Sequence, residues 1–149
     1  MIDLEEDCTE RLRALQPEFA RLIGLEVISA TPMRVVSEIK VTALLSNRNG
    51  VMHGGAVMSL GDNMGGTASA LHLRPGSTTT TIESKTNFFR AIPLGEVARA
   101  ITVPVHLGRR TIVWKTDVLR SDGKLAATVT QTQLVMDADG AGAGPGVAT

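Results

Sequence analysis

The segment over residues 54–72, GGAVMSLGDNMGGTASALH, constrains the fold most because it is small, apolar and free of proline. A helix that is apolar almost all round is a buried helix, so this segment predicts a helix covered by a sheet. Six of the 15 glycines lie between residues 50 and 66. Because glycine inside a helix costs about 1 kcal/mol relative to alanine, close packing or function must explain Gly61, Gly65 and Gly66.

Hydrophobic periodicity predicts the other elements. Residues 1–22 carry apolar side chains at near-helical spacing and predict an amphipathic helix that ends at Gly24. From Leu25 to Leu45 the pattern alternates, which predicts one or two strands whose common face is Val35, Ser37, Ile39 and Val41. Four further strands are rich in Val, Ile and Thr, and their short connections are typical of an antiparallel meander: 78–89, 96–106, 111–120 and 125–136.

These elements predict an α+β domain over residues 1–139, with a sheet of about five strands covered by the 54–72 helix. Residues 140–149, GAGAGPGVAT, have low complexity, and we expect a disordered tail there.

Composition argues against several classes of function. Aromatic residues make up 3% of the chain and tyrosine is absent, which disfavours binding of single-stranded nucleic acid by base stacking. Fifteen Lys and Arg balance fifteen Asp and Glu, so a global basic field that would attract nucleic acid or an anionic membrane is lacking. Cys8 is the single cysteine and lies in an acidic stretch, so an internal disulfide cannot form. No leader and no apolar run long enough to span a membrane is apparent. We therefore expect a cytoplasmic protein.

Gly54 and Gly55 occupy the first turn of the predicted helix, where backbone N–H groups lack intrahelical partners. Bare glycine lets another molecule approach these donors, and the positive end of the helix dipole favours an oxygen with developing negative charge. Asp62 lies in the middle of the same helix, which has almost no polar face, so we expect a buried carboxylate that is paired or functional.

The spacing of Gly54 and Asp62 predicts a dimer. Eight residues separate them, or about 12 Å along a helix at 1.5 Å per residue, too far for one small reacting group to touch both. If both belong to one site, it must combine Gly54 of one subunit with Asp62 of another, across a two-fold axis that creates two equivalent sites.

Three stretches carry a resemblance to a known family. The first is Asn47-Arg48-Asn49-Gly50-Val51-Met52-His53-Gly54-Gly55, followed by Leu60-Gly61-Asp62. The second runs from Thr81-Ile82 through Thr86-Asn87-Phe88-Phe89-Arg90 to Pro93-Leu94-Gly95-Glu96, and the third is Gly108-Arg109-Arg110 with Asp122-Gly123-Lys124-Leu125-Ala126. Together they resemble the hotdog-fold acyl-CoA thioesterases, and especially the phenylacetate-pathway (PaaI-like) group of the 4-hydroxybenzoyl-CoA thioesterase superfamily.

The resemblance implies a curved antiparallel sheet of five to six strands around one long helix, and a site shared by two subunits. It implies that Asp62 is the nucleophile or the general base and that the Gly54 N–H polarises the thioester carbonyl. Asn47 would lie near the thioester, with His53 as a supporting hydrogen-bonding residue and Thr81 orienting the attacking water. Relatives with Glu as the acid carry a Thr one turn later, where this chain has Gly66.

The resemblance also implies that coenzyme A is part of the substrate, that no metal or redox cofactor is needed, and that dimers pair into a tetramer. Between residues 84 and 116 six cations accompany one acid, and Arg90, Arg109 and Arg110 lie at strand ends or turns where phosphates can reach them. The predicted substrate and coenzyme A contacts are Gly55, Phe89, Arg90, Ala91, His106, Gly108, Arg109 and Arg110.

Plainer interpretations stay open. Asn47 can be an ordinary turn residue, His53 a structural hydrogen-bonding residue, and Thr81 part of a strand surface. A hotdog hydratase or dehydratase is an alternative enzyme, but those favour an Asp–His pair and this helix lacks His between Gly54 and Leu71. A non-catalytic acyl-CoA-binding module is the alternative outside enzymes, and it predicts loss of the acid.

Overall fold

The computed structural model describes residues 3–137, which form one six-stranded antiparallel sheet and three helices. The helices are α1 (Thr9–Ala14), α2 (Glu18–Leu22) and α3 (Gly54–Ser69), and single 3-10 turns cover Ala43–Leu45 and Ala70–His72. The strands are β1 (Leu25–Thr31), β2 (Arg34–Lys40), β3 (Thr78–Phe88), β4 (Val97–Leu107), β5 (Thr111–Leu119) and β6 (Leu125–Met136). The predicted tail at 140–149 lies outside the described residues.

The sheet order is β1-β2-β4-β5-β6-β3, so the meander predicted for the last four strands is only partly correct. Strands β4, β5 and β6 follow one another, but β3 pairs with β6 at the edge and not with β4. The Pro93–Gly95 turn does not close a hairpin. Leu94 N–H donates to Gly50 and Gly95 N–H to Val41, which directs the chain to β2 on the other side of the sheet. Partners so distant in sequence leave no local signal.

Helix α3 is the centre of the core, and it contacts β2, β3, β4, β5 and β6, so the sheet wraps around it. Close packing explains two of its glycines. A Cβ on Gly61 would lie 2.5 Å from Val129 Cγ2, and one on Gly65 would lie 1.6 Å from Gln131 Oε1. Gly66 has open space within 4 Å, so packing in this chain does not explain it.

Two short helices replace the single helix predicted over residues 1–22. Pro17 stands between them in an extended conformation. Proline disfavours helix in the preceding residue and has no N–H to donate, so the first helix ends before it. Leu12 is fully buried, whereas Leu22 is 81% exposed, so only part of the predicted apolar face packs. Cys8 is buried, and that burial raises the pKa of its thiol.

One face of α3 remains uncovered in the single chain. Gly55, Met58 and Asp62 are exposed and lie on one side of the helix, so the expected burial of Asp62 is wrong for the isolated subunit. The sheet covers the opposite side of the helix, and β3 at the sheet edge is exposed along most of its length.

Candidate active site

Asp62 and Thr81 are in direct contact. The Thr81 hydroxyl donates to Asp62 Oδ1 at 2.9 Å, which joins the middle of α3 to the edge strand β3. Both side chains open onto a cavity of about 390 Å³, which we call the Asp62 cavity. Its other walls include Leu12, Leu15, Asn63 and Thr79. An exposed carboxylate with a fixed hydroxyl partner at a cavity can attack, or take a proton from, a bound molecule.

A bulge in β3 directs Thr81 towards α3. Thr81 pairs with Gln133, but Glu83 pairs with Thr132, so the register shifts by one residue between them. Thr81 therefore lies on the helix side of the sheet, whereas Glu83 accompanies Thr132 on the outer side. Beyond the bulge Phe88 pairs with the buried Ala127 and returns to the helix side. One strand thus contributes to both halves of α3.

Two glutamines on β6 complete the contacts of Asp62 and Thr81. The two hydrogens of Gln131 Nε2 are shared among three oxygens: Asp62 Oδ1 at 2.6 Å, the Asp62 carbonyl at 3.1 Å and Thr81 Oγ1 at 2.9 Å. Gln133 Nε2 donates to Thr81 Oγ1 at 2.8 Å. These glutamines are absent from the residues predicted by sequence. The sequence did contain a signal for them. Gln131 and Gln133 lie two and four residues after Val129 in the same strand, so all three side chains share one face of the sheet, the face that covers the helix.

The N-terminus of α3 lies at a separate cavity of about 290 Å³, the Gly54 cavity, which Phe88, Phe89, Arg90 and Ala91 also line. A Cβ on Gly54 would meet the Phe88 ring at 3.5 Å, an ordinary contact. Within residues 3–137 the Gly54 N–H has no hydrogen-bond acceptor. It is therefore a free backbone donor at the positive end of the helix dipole.

His53 is the N-cap of α3. Its Nδ1 accepts from the Gly55 N–H at 2.9 Å, so this ring is a structural hydrogen-bonding group in the single chain and occupies the second donor of the helix. Gly55 is therefore a weaker candidate for contacting substrate than Gly54. This geometry is the plainer structural role left open for His53, and its supporting role in the reaction stays a prediction.

Asn47 organises the loop before α3. Its Oδ1 accepts from Asn49 N–H at 2.9 Å and from Val51 N–H at 3.5 Å, and its own N–H donates to the Val51 carbonyl at 2.8 Å. This is the turn role left open by the sequence. The side chain does not line the Asp62 cavity or the Gly54 cavity.

The β4–β5 hairpin lies at the opposite end of the sheet from Arg90. Thr111 in this hairpin pairs with Leu134 of β6, whereas Phe88 pairs with Ala127. The structure therefore does not bring four predicted coenzyme A contacts together with Gly54 in one chain: His106, Gly108, Arg109 and Arg110. Gly108 is required for packing, because a Cβ there would lie 2.4 Å from the His106 ring and 2.8 Å from the Thr111 carbonyl.

The basic segment at 84–116 divides into paired and unpaired cations. Arg99 forms an ion pair with Glu38 at 2.6 Å and Lys115 with Asp117 at 2.9 Å, as expected for solvated strand faces. Arg109 and Arg110 are exposed, with no ion pair to a described residue. Arg90 donates from Nη1 to the Leu125 carbonyl at 2.8 Å.

The two cavities are distinct within one chain and share no lining residue. Nowhere in residues 3–137 do three His, Cys, Asp or Glu side chains gather as a metal would require. Among the described helices, none has the length and apolar character needed to cross a bilayer.

The sheet wrapped around α3, the exposed acid and the free helix N-terminus define a hotdog-fold protein. The model of the thioesterase superfamily matches residues 49–127, and the chain belongs to that superfamily. The matched range includes Gly54, Asp62 and Thr81, and the family resemblance expected from the sequence is confirmed.

Similar proteins agree with this assignment. A putative esterase of Haemophilus influenzae is 32% identical over 88 residues, which is 59% of this chain and 63% of that protein. The chain thus spans less than two thirds of this curated relative. A mutant of the phenylacetic acid degradation protein PaaI from Thermus thermophilus is 28% identical with a TM-score of 0.73, covering 79% of this chain and 98% of that one. A hypothetical thioesterase protein from Streptococcus pneumoniae, solved with coenzyme A, is 27% identical with a TM-score of 0.71, covering 76% and 87%.

Proposed function

We propose that this protein hydrolyses acyl-coenzyme A thioesters, with an aryl or a short-to-medium acyl group, to the free acid and coenzyme A. The observation that carries the proposal is Asp62, an exposed carboxylate and the one charged side chain of helix α3, held at a cavity by the Thr81 hydroxyl. Membership of the thioesterase superfamily supports the reaction. The coenzyme A bound to the similar Streptococcus pneumoniae protein supports the substrate class.

Two routes are open to Asp62. As a general base it takes a proton from water while the water oxygen attacks the thioester carbonyl carbon. As a nucleophile it attacks that carbon itself, and water then opens the resulting anhydride. In both routes the carbon–sulfur bond breaks, and the departing coenzyme A thiolate takes up a proton. Water is the only second reactant.

The Gly54 N–H supplies the complementary charge stabilisation. The carbonyl oxygen gains negative charge when the carbon becomes tetrahedral, and a preorganised N–H at a helix N-terminus stabilises that charge. Gly54 and Asp62 are about 12 Å apart along α3, so they cannot serve one carbonyl from the same chain. We therefore assign each site to Asp62 of one subunit and Gly54 of the other.

The surface of the single chain supports that dimer. The exposed stripe of Gly55, Met58 and Asp62 on α3 and the exposed edge strand β3 are suited to packing against a second copy. The two separate cavities of one chain then become parts of two shared sites. Pairing of dimers into a tetramer and a cytoplasmic location remain predictions.

Exposed arginines suit the phosphates of coenzyme A. Arg90 lies beside Gly54 and Phe89 at the Gly54 cavity, whereas Arg109 and Arg110 lie on the distant hairpin. Guanidinium groups bind phosphate through paired N–H donors. In the proposed dimer the phosphates are bound outside the sheet, while the acyl-pantetheine arm extends towards the subunit interface.

Thiol release from a panel of aryl- and fatty acyl-coenzyme A compounds tests the function. Asp62→Asn keeps the size of the side chain and removes its basicity, so the rate should fall by about 10³-fold or more while the dimer persists. Glu83→Gln is the matched control, because this acid lies on the outer side of β3, the strand that carries Thr81, and contacts Thr132. Its rate should match the wild type.

Equal rates for Asp62→Asn and wild type would refute the assigned role of Asp62. Binding of coenzyme A derivatives without cleavage of any thioester in the panel would favour a non-catalytic binding module. Addition of water to an enoyl thioester, without thiol release, would favour a hydratase.

A further inference from the structure

We propose that Gln131 and Gln133 are positioning residues that fix Thr81 as a hydrogen-bond donor and leave Oδ2 as the reacting oxygen of Asp62. The inference rests on the proposed function, because it concerns the same carboxylate. It changes the role expected for Thr81, which becomes a support for Asp62 and not a residue that orients water.

The hydrogen-bonding capacity of the Thr81 hydroxyl carries the first step. A hydroxyl offers one hydrogen and two lone pairs. Gln133 Nε2 donates to Thr81 Oγ1 at 2.8 Å. Gln131 Nε2 lies 2.9 Å from the same oxygen and shares its two hydrogens between Thr81 and Asp62, so both lone pairs of Thr81 Oγ1 face an amide nitrogen. The single hydrogen is then directed to Asp62 Oδ1 at 2.9 Å. A substrate water would therefore compete with two amide nitrogens for the lone pairs of Thr81 Oγ1.

The two oxygens of Asp62 therefore differ. Oδ1 accepts from the Thr81 hydroxyl and from Gln131 Nε2 at 2.6 Å, and the same amide also reaches the Asp62 carbonyl. Oδ2 has no partner among the described residues, and Asp62 lines the cavity. A carboxylate held through one oxygen presents the other in a fixed direction, which is the geometry that proton transfer or attack requires.

The surroundings of Gln131 argue against a purely structural amide. Gln131 and Gln133 are 1% and 2% exposed, in positions where an apolar residue would avoid the cost of burying an amide. Gln131 Oε1 is buried without a hydrogen-bond partner in the described chain, and it lies where a Cβ on Gly65 would lie 1.6 Å away. The helix thus carries a glycine to make room for an amide whose satisfied end contacts Asp62.

Matched substitutions in the full-length protein test the inference by thiol release. Gln131→Met keeps the volume and removes both N–H donors, so kcat should fall by about 10²-fold with KM within about twofold, the loss typical of a misplaced reacting group. Thr81→Val should lose a similar factor. Thr81→Ser keeps the hydroxyl and should stay within about threefold of wild type. Gly65→Ala should resemble Gln131→Met, because the new methyl displaces the amide.

Coupling separates a positioning network from independent effects. The double variant Gln131→Met/Thr81→Val should be no slower than the slower single variant, since both remove support from the same oxygen. Thr132→Val is the control on β6, because this residue faces the outer side of the sheet and contacts Glu83. Its kcat should be unchanged.

The outcomes distinguish this inference from the proposed function. An active wild type with unchanged kcat in Gln131→Met and Thr81→Val overturns the inference and leaves thioester hydrolysis intact. Loss of thermal stability in proportion to activity in both variants, or a rise in KM without a change in kcat, also overturns it. A wild type that cleaves no thioester refutes the function instead. Crystal structures of wild type and Gln131→Met then test the geometry directly, and an unmoved Asp62 carboxylate would overturn the inference.

Discussion

A Cβ on Gly61 would lie 2.5 Å from Cγ2 of Val129, so helix α3 packs on strand β6 with no room for even one methyl group. The same surface of α3 bears Gly65 one turn later, against Gln131. The helix therefore packs closely on the sheet at two glycines, Gly61 and Gly65. This close packing brings Asp62 within hydrogen-bond distance of Gln131 on β6.

Gly61→Ala should destabilise the protein. The methyl would overlap Val129, and overpacking of this kind costs about 1–3 kcal/mol in the free energy of unfolding. Gly66→Ala is the matched control, because its Cβ meets nothing within 4 Å and helix propensity alone should add about 1 kcal/mol. Chemical denaturation of both variants measures the difference. Equal stability would contradict the packing described for α3 and β6.

The N-cap of α3 should depend on a side-chain acceptor at position 53. His53→Ala leaves the Gly55 N–H without its partner, and loss of a cap costs about 1 kcal/mol. His53→Asp restores an acceptor at the same position and should recover the stability. Thermal unfolding of the three proteins checks this. If His53→Asp behaves like His53→Ala, the ring has a role other than capping.

The Cys8 thiol should react slowly in the native protein. Burial, followed by the Glu6 charge, raises the pKa of this thiol, so less of the reactive thiolate is present at a given pH. The sign of the pH effect follows because the folded-state pKa is the raised one. Below the ordinary thiol pKa the thiol is protonated in both the folded and the unfolded state, and its contribution to the free energy of unfolding is fully present. That contribution is lost as pH rises through the raised pKa of the folded state. Alkylation rates in native and denatured protein measure the effect, with Cys8→Ala as the blank. Equal rates at neutral pH would contradict the burial of Cys8.

Regular periodicity made much of the fold predictable from sequence. The spans of β3 to β6 were each correct within one residue, and the 54–69 helix was identified from its apolar composition. The position of β3 in the sheet was not predictable. Strand β3 pairs with β6, which is far away in sequence, and no local pattern encodes that pairing. Pro17 divides the N-terminal helix because a single proline outweighs the periodicity on either side.

The candidate site was predictable where residue type alone carried the signal. An acid in an apolar helix and glycines at its start were enough to single out Asp62 and Gly54. Gln131 and Gln133 were missed because a glutamine in a Thr-rich strand resembles a solvent-facing residue until its register is known. The exposure of Asp62 was also missed, since the patterning of α3 suggests burial but one subunit covers only one side of it.

Gly54→Pro should remove the oxyanion donor without disturbing the helix. Proline is favoured at the first helical position, where its missing N–H is unpaired in any case, and His53 has the extended ψ of 138° that precedes proline well. Loss of one such donor should lower kcat by about 10²–10³-fold. Gly54→Ala keeps the N–H and adds a methyl at an ordinary 3.5 Å from Phe88, so it should retain most activity. Equal activity in both variants would exclude the N–H from the reaction.

Mixed dimers should test whether each site spans two subunits. A dimer of one Asp62→Asn chain and one Gly54→Pro chain contains one site with both defects and one with neither. Random pairing of equal amounts makes half of the dimers mixed, so about a quarter of wild-type activity should return. Each variant alone supplies the baseline, and unfolding and refolding the mixture allows the chains to exchange. Activity that stays at the baseline, although the chains demonstrably exchange, would mean that Gly54 and Asp62 do not complete a common site across the interface.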